Sequence, residues 1–85
     1  MSQTIELTKR DKLLVTDYSD SEGCILSLAL QRKNPSKDVS VGPRSASVGE
    51  KRFEFSNEVS GKLFDACECI LEDFTPFSVE ITESP

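Results

Sequence analysis

Apolar and polar positions alternate with a period of two over residues 4–8 and 52–55. Residues 13–18 form a short apolar run that ends in Tyr18, and over residues 24–30 Cys24 and three leucines fall on every second position. This period is typical of half-buried strands, whose successive side chains point to opposite faces of a sheet. Residues 13–18 and 24–30 are separated by a short polar segment that ends in Gly23, so we expect them to form a hairpin. The alternation therefore predicts an antiparallel sheet of about four strands.

A helical period replaces the alternation in the last third of the chain. Ser56 or Asn57 offers an N-cap, and Thr75-Pro76 is expected to end the helix, because the residue before a proline disfavours helical geometry. The apolar positions in between recur at helical spacing: Val59, Leu63, Ala66, Cys67, Ile70, Leu71 and Phe74. This stripe predicts one long C-terminal helix that covers the sheet.

The predicted fold class is α+β, with the sheet of about four strands followed by the long helix and, optionally, by a short final strand. A chain of 85 residues has room for one domain and one core. Residues 34–50 are predicted to form a long basic loop, in which Val39 and Val41 offer a short additional strand. Residues 76–85 are predicted to form an acidic tail that docks on the domain, an edge strand or a strand swapped onto a partner. A second copy would bury apolar surface that so small a domain leaves exposed, which favours a homodimer.

The residue types that catalysis and metal binding need are scarce. The chain has no histidine, the commonest general base, and Cys67 lies on the apolar stripe, where a thiol is usually inert. Cys67 and Cys69 would lie about 200° apart on a helix, so they cannot share one tetrahedral ion. No phosphate-binding glycine motif is present. We therefore expect a non-enzymatic protein without a metal or cofactor.

The cysteines and the N-terminal residues bear on the compartment. Three cysteines cannot all pair within one chain, which favours free thiols in a reducing compartment. The sequence has no apolar run long enough to span a membrane, and its first residues lack a basic and apolar leader. We expect a cytoplasmic protein with no membrane partner.

Charge is distributed unevenly along a chain whose net charge is −5. Residues 1–52 contain nine of the ten Lys and Arg against seven acids, whereas residues 53–85 contain one Lys and eight acids. Local charge steers a partner to one face, so single-stranded nucleic acid remains compatible with the negative total. Such binding needs cations for phosphates and an aromatic ring for bases. The candidate residues are Lys9, Arg10, Lys12, Arg32, Lys33, Lys37, Arg44, Lys51 and Arg52, with Tyr18 as the ring.

The order of these parts resembles the single-stranded-DNA-binding domain of the transcriptional coactivator family called positive cofactor four, which has phage relatives. The resemblance covers residues 5–74 and rests on a strand ending in Asp17-Tyr18, a glycine turn, a second apolar strand, a Lys/Pro/Gly loop, a further strand and a helix. The matching stretches are residues 12–18, 23–30, 34–49 and 52–71. The chain departs from the family at Asp11 and Lys12, where a basic residue and an aromatic are usual, and its helix lacks the usual Trp.

This resemblance implies a curved sheet that binds single-stranded DNA in transcription, replication or recombination. It also implies a homodimer packed through the helices, with an interface formed by Leu63, Cys67, Ile70 and Phe74. In such a molecule positive side chains line the curved strands, and negative side chains stay apart on the helix.

A second hypothesis needs no nucleic acid. The polar face of the predicted helix is acidic and is able to mimic phosphates: Glu58, Asp65, Glu68, Glu72 and Asp73. On this hypothesis the chain is a small acidic protein–protein interaction module, or an inhibitor that occupies a nucleic-acid enzyme. The acidic segment that begins at Glu80 offers a further contact for a protein partner.

Overall fold

The computed structural model describes residues 2–15 and 24–84. Within these ranges the elements are, in chain order, β1 (Ser2–Leu7), α1 (Lys9–Leu13), α2 (Ile25–Lys33), β2 (Val39–Val41), β3 (Ser45–Val48), β4 (Lys51–Glu54), α3 (Asn57–Glu68) and β5 (Phe77–Glu83). A 3-10 turn, Leu71–Asp73, lies between α3 and β5. No helix in the described ranges is long and apolar enough to cross a membrane.

The strands form one antiparallel half-barrel sheet in the order β1-β5-β4-β3-β2. The first strand pairs with the last one, with Ile5 opposite Val79. β3 and β4 form a hairpin around Gly49, whose φ of 61° lies in the left-handed region that favours glycine. Residues 77–83 therefore form a strand inside the sheet, between β1 and β4, and the expected loop of residues 34–50 contains β2 and β3.

The core lies between one face of this sheet and α2, which contacts both edge strands, β1 and β2. Ile5, Leu7, Val79 and Ile81 alternate with exposed residues and point into the core. Four apolar residues of α2 are buried against them: Ile25, Leu26, Ala29 and Leu30. Burying one large aliphatic side chain contributes about 1.5–3 kcal/mol, so α2 is a major source of stability.

The predicted hairpin of residues 13–18 and 24–30 is wrong. Residues 25–30 lie in α2, and among residues 13–15 Leu13 ends α1 while Leu14 and Val15 lie in no strand. The apolar residues of the second segment alternate, but the four buried residues of α2 also follow helical spacing. A short run that is apolar on nearly every side suits a buried helix as well as a strand. Residues 16–23, which include the predicted turn, lie outside the described ranges.

The first helix, α1, begins at a capping box. The Thr8 hydroxyl accepts a hydrogen bond from the Asp11 N–H (3.3 Å), and the Asp11 carboxylate accepts one from the Thr8 N–H (2.9 Å). Each side chain thus satisfies a backbone donor that the helix start would leave unpaired. These bonds explain why residues 9–13 form a helix.

The prediction of one long C-terminal helix is also wrong, because α3 ends at Glu68 after 12 residues. Cys69 has a ψ of 158°, which is extended geometry, and the chain continues through the 3-10 turn into β5. Helices in proteins depend mainly on tertiary packing, and pairing on both sides of β5 is the stronger tertiary requirement here. The apolar stripe is therefore split: Leu63 packs from α3, and Phe74 from the segment after the turn.

Candidate interaction surfaces

The open face of the sheet has polar side chains of both signs. The residues that alternate with the inward-pointing ones are Ser2, Thr4, Glu6, Ser40, Ser45, Ser47, Arg52, Glu54, Ser78, Glu80 and Thr82. Three of these are glutamates and one is an arginine, so this face is net negative. We expected cations to line the strands and acids to stay apart on the helix. This expectation is wrong, because acids outnumber cations on the open face of the sheet.

Four of the cations predicted to bind nucleic acid lie where α1 contacts the C-terminal end of α2. Lys9 and Arg10 are exposed on α1, and Arg32 and Lys33 occupy the last turn of α2. Cations in the last turn of a helix interact favourably with the helix dipole, so Arg32 and Lys33 also have a structural role. We call this group of four residues the basic corner.

The other predicted cations are dispersed. Lys37 precedes β2, whereas Arg44 and Lys51 lie at opposite ends of the β3–β4 hairpin. Arg52 points to the open face of the sheet, two residues before Glu54 on the same strand face. Tyr18, the predicted stacking ring, lies outside the described residues.

Asp11 is a buried carboxylate that connects α1 to α2. The Arg32 guanidinium donates to both of its oxygens at 3.2 Å, and also to the carbonyl oxygen of Glu6 at 3.1 Å. Burial by itself raises the pKa of Asp11, but the hydrogen bonds from Arg32 and Thr8 outweigh it, and the pKa lies below its ordinary value. Asp11 is therefore charged at neutral pH and holds the end of α2 in place.

Lys12 is buried, unlike the cations of the basic corner. Its Nζ donates a 2.7 Å hydrogen bond to the carbonyl oxygen of Cys67, in the last turn of α3. That turn has no basic residue of its own, so Lys12 supplies both a donor and a positive charge to this helix end. Lys12 thus connects α1 to α3.

The three cysteines are free thiols, and two of them share a cavity. Cys24 and Cys67 line an apolar cavity of about 310 Å³ that is also lined by Phe55 and Leu63. Burial raises the pKa of the Cys67 thiol, and its Sγ accepts a hydrogen bond from the Ile25 N–H at 3.5 Å. A neutral, packed thiol is a poor nucleophile. The described residues contain no group of three or more His, Cys, Asp or Glu that could hold a metal ion.

The residues predicted to form a dimer interface have different surroundings. Leu63 and Phe74 are buried in the core of their own chain, Cys67 is partly buried, and Ile70 is exposed. Of this set, only Ile70 offers a largely exposed apolar side chain to a partner.

Acidic side chains dominate the surface of α3 and the 3-10 turn, which we call the acidic surface. Its carboxylates are all exposed: Glu58, Asp65, Glu68, Glu72 and Asp73. Lys62 is the single cation on these two elements, and its Nζ lies 3.9 Å from Glu58 Oε1. An exposed ion pair of this kind contributes little to stability. With five carboxylates and one lysine, the surface is strongly negative.

A groove of about 390 Å³ lies beside the acidic surface, between α3, the 3-10 turn and the beginning of β5. Its floor is apolar: Ala66 and Phe74 are buried, Phe77 is partly buried, and the two rings lie 6.1 Å apart at 54°. Asp65 and Asp73 lie on its rim and are exposed. Lys62 also lines the groove, with its Nζ 3.9 Å from Glu58 Oε1. The groove thus combines an apolar floor with two carboxylates and one lysine, and its lining is net negative.

The carboxylates of this groove were visible in the sequence, but the groove itself was not. It exists because α3 ends at Glu68 and the 3-10 turn brings Phe74 and Phe77 beside the helix. Thr75-Pro76, between the two rings, was the available signal that the chain changes direction here.

No family model, curated protein or solved structure matches this chain.

Proposed function

We propose that this chain is a non-enzymatic protein-interaction module whose groove binds an arginine side chain from a basic segment of a partner protein. The observation that supports this most is the combination of an apolar floor and two rim carboxylates in one groove. The surrounding acidic surface steers a basic partner towards it. The three free thiols support a reducing, cytoplasmic location.

Arginine fits this groove better than a purely apolar side chain. Its aliphatic stem packs on apolar surface, and its planar guanidinium stacks on aromatic rings. Part of the Phe77 ring is exposed for such stacking, and Asp65 and Asp73 supply carboxylates for the guanidinium donors.

The test is an NMR titration of the full chain with N-acetyl-L-arginine amide. Shift changes are expected to concentrate at residues 65–66 and 73–78. N-acetyl-L-citrulline amide has nearly the same shape without the charge, and it should bind about tenfold more weakly, because a cation–π contact or ion pair contributes on the order of 1.4 kcal/mol.

Two variants make the result specific to the groove. Asp65→Asn combined with Asp73→Asn should abolish the preference for arginine over citrulline. Glu54→Gln combined with Glu80→Gln removes two exposed carboxylates from the open face of the sheet, outside the groove, and should keep the preference. Equal affinity of the unmodified protein for the two probes would refute the proposal.

Single-stranded DNA is a second candidate partner, which we propose on a separate observation. The basic corner gathers Lys9, Arg10, Arg32 and Lys33 on two packed helices, and cations of this kind bind phosphates. On this proposal the protein serves transcription, replication or recombination. The binding surface then lies at the helices rather than on the open face of the sheet.

A labelled oligonucleotide, titrated at low and moderate salt, separates the two candidates. Salt-sensitive binding supports DNA as the partner, and Lys33→Ala should then weaken it for all sequences and reduce the salt slope by about 1. Tyr18→Ala should weaken it by about 1–3 kcal/mol if this ring stacks on bases. An absence of binding at low salt would remove this candidate and leave the groove proposal intact.

A further inference from the structure

Three of the four exposed large apolar side chains in the described residues lie where α1 contacts the 3-10 turn. Leu13 and Leu14, at the end of α1, are 64% and 57% exposed, and Ile70, just before the turn, is 59% exposed. The hydrogen bond from Lys12 to Cys67 holds α1 in this position. We call these three residues the apolar patch. Exposed apolar side chains gathered on neighbouring elements of a small protein mark an interaction site.

Opposite charges border the apolar patch. Lys9 and Arg10 lie one helical turn before the two leucines, on the same sides of α1. Glu68 and Glu72 stand two residues before and two residues after Ile70. All four charged side chains are exposed. The patch therefore has a basic border on α1 and an acidic border on the α3 side.

We propose that the apolar patch is the interface of a two-fold symmetric homodimer. A two-fold axis places the same surface of each copy against the other, and residues on opposite sides of the axis meet. In the dimer proposed here the axis runs between the two borders. The basic border of one copy then faces the acidic border of the other. A second copy matches both borders at once, whereas the acidic border repels an anionic membrane or a nucleic acid.

This interface differs from the one predicted from the sequence, in which the apolar stripes of two C-terminal helices pack together. Leu63 and Phe74, which that stripe would contribute, are used by the core of their own chain. The interface proposed here is built on α1 instead, and Ile70 is the one residue that the two arrangements share.

The first test is the mass of the full chain in solution, measured by light scattering over a dilution series. The unmodified protein is expected to be a dimer that dissociates on dilution. Ile70→Asp places a charge in the apolar patch and should raise the dissociation constant at least about tenfold. A monomeric unmodified protein, or a dimer unaffected by Ile70→Asp, would overturn the proposal.

The second test exchanges the borders. Lys9→Glu with Arg10→Glu, and Glu68→Lys with Glu72→Lys, should each give a monomer, while an equimolar mixture of the two variants should give a heterodimer. Most of these changes put acids near a helix start and lysine near a helix end, so both variants are expected to keep their fold, which circular dichroism checks. Lys51→Glu with Arg52→Glu makes the same charge change on β4 and should leave the dimer unchanged. Variants that fail to combine would refute the pairing of borders.

Discussion

The helices α2 and α3 differ in what surrounds them, and the difference separates stability from binding. α2 is buried between the edge strands β1 and β2, and nearly all of its apolar residues are in the core. α3 buries Leu63 and Ala66, and presents carboxylates and one side of the groove to solvent. We infer that α2 determines whether the chain folds, and that α3 determines what it binds.

The largest expected effect is on stability, from truncation within α2. Leu30→Ala should lower the free energy of unfolding by about 2–5 kcal/mol, because the side chain is fully buried and its removal leaves a cavity. Leu63→Ala on α3 is the matched change, and it should cost less because Leu63 already borders a cavity. Urea unfolding of both variants measures the difference. Equal losses would contradict the division of roles between the helices.

The contrast between the two helices also shows why the sequence predicted one better than the other. α3 has a polar face, so its helical period is visible from Val59 to Ala66 and its N-cap, Ser56, was anticipated. α2 is enclosed on most sides, and its exposed polar residues are confined to its last turn, residues 31–33. The period that distinguishes a helix from a strand is therefore weak in the segment that the core needs most.

Strand positions could be predicted where one face of the strand is solvated. Residues 4–8, 52–55 and 77–81 alternate, and the structure has strands close to each of these positions. Which strand pairs with which could not be predicted. The pairing of β1 with β5 joins residues from the two ends of the chain, and such a long-range contact leaves no signal in the local sequence. For the candidate site, the charges of Asp65 and Asp73 were apparent, but their position beside Phe77 depends on where α3 ends.

The second prediction concerns Asp11, through which α1 anchors α2. Asp11→Ala should lower the free energy of unfolding by about 1–3 kcal/mol at neutral pH, because it removes the capping box and the partner of Arg32. The pKa of Asp11 is lower in the folded chain than in the unfolded one. Its contribution is therefore present above the unfolded pKa and is lost as the pH falls through the folded pKa.

Urea unfolding of the unmodified protein and of Asp11→Ala, at neutral pH and at the lowest pH where both still fold, checks this dependence. The gap between the two proteins should narrow as the pH falls. If the difference in the free energy of unfolding stayed constant with pH, the charge of Asp11 would add nothing to stability. α2 would then be held in place by its apolar contacts alone.

The smallest expected effect concerns Lys12, through which α1 anchors α3. Lys12→Met keeps the aliphatic part of the side chain but removes the donor and the charge at the end of α3, so it should cost about 0.5–1.5 kcal/mol. Lys51→Met, an exposed change on β4, should stay within about 0.5 kcal/mol. Hydrogen exchange should show the loss of protection in the last turn of α3 and not in α2. If protection were lost equally in both helices, α1 would be stabilising them as one unit, and the separation of a stable helix from a binding helix would not hold.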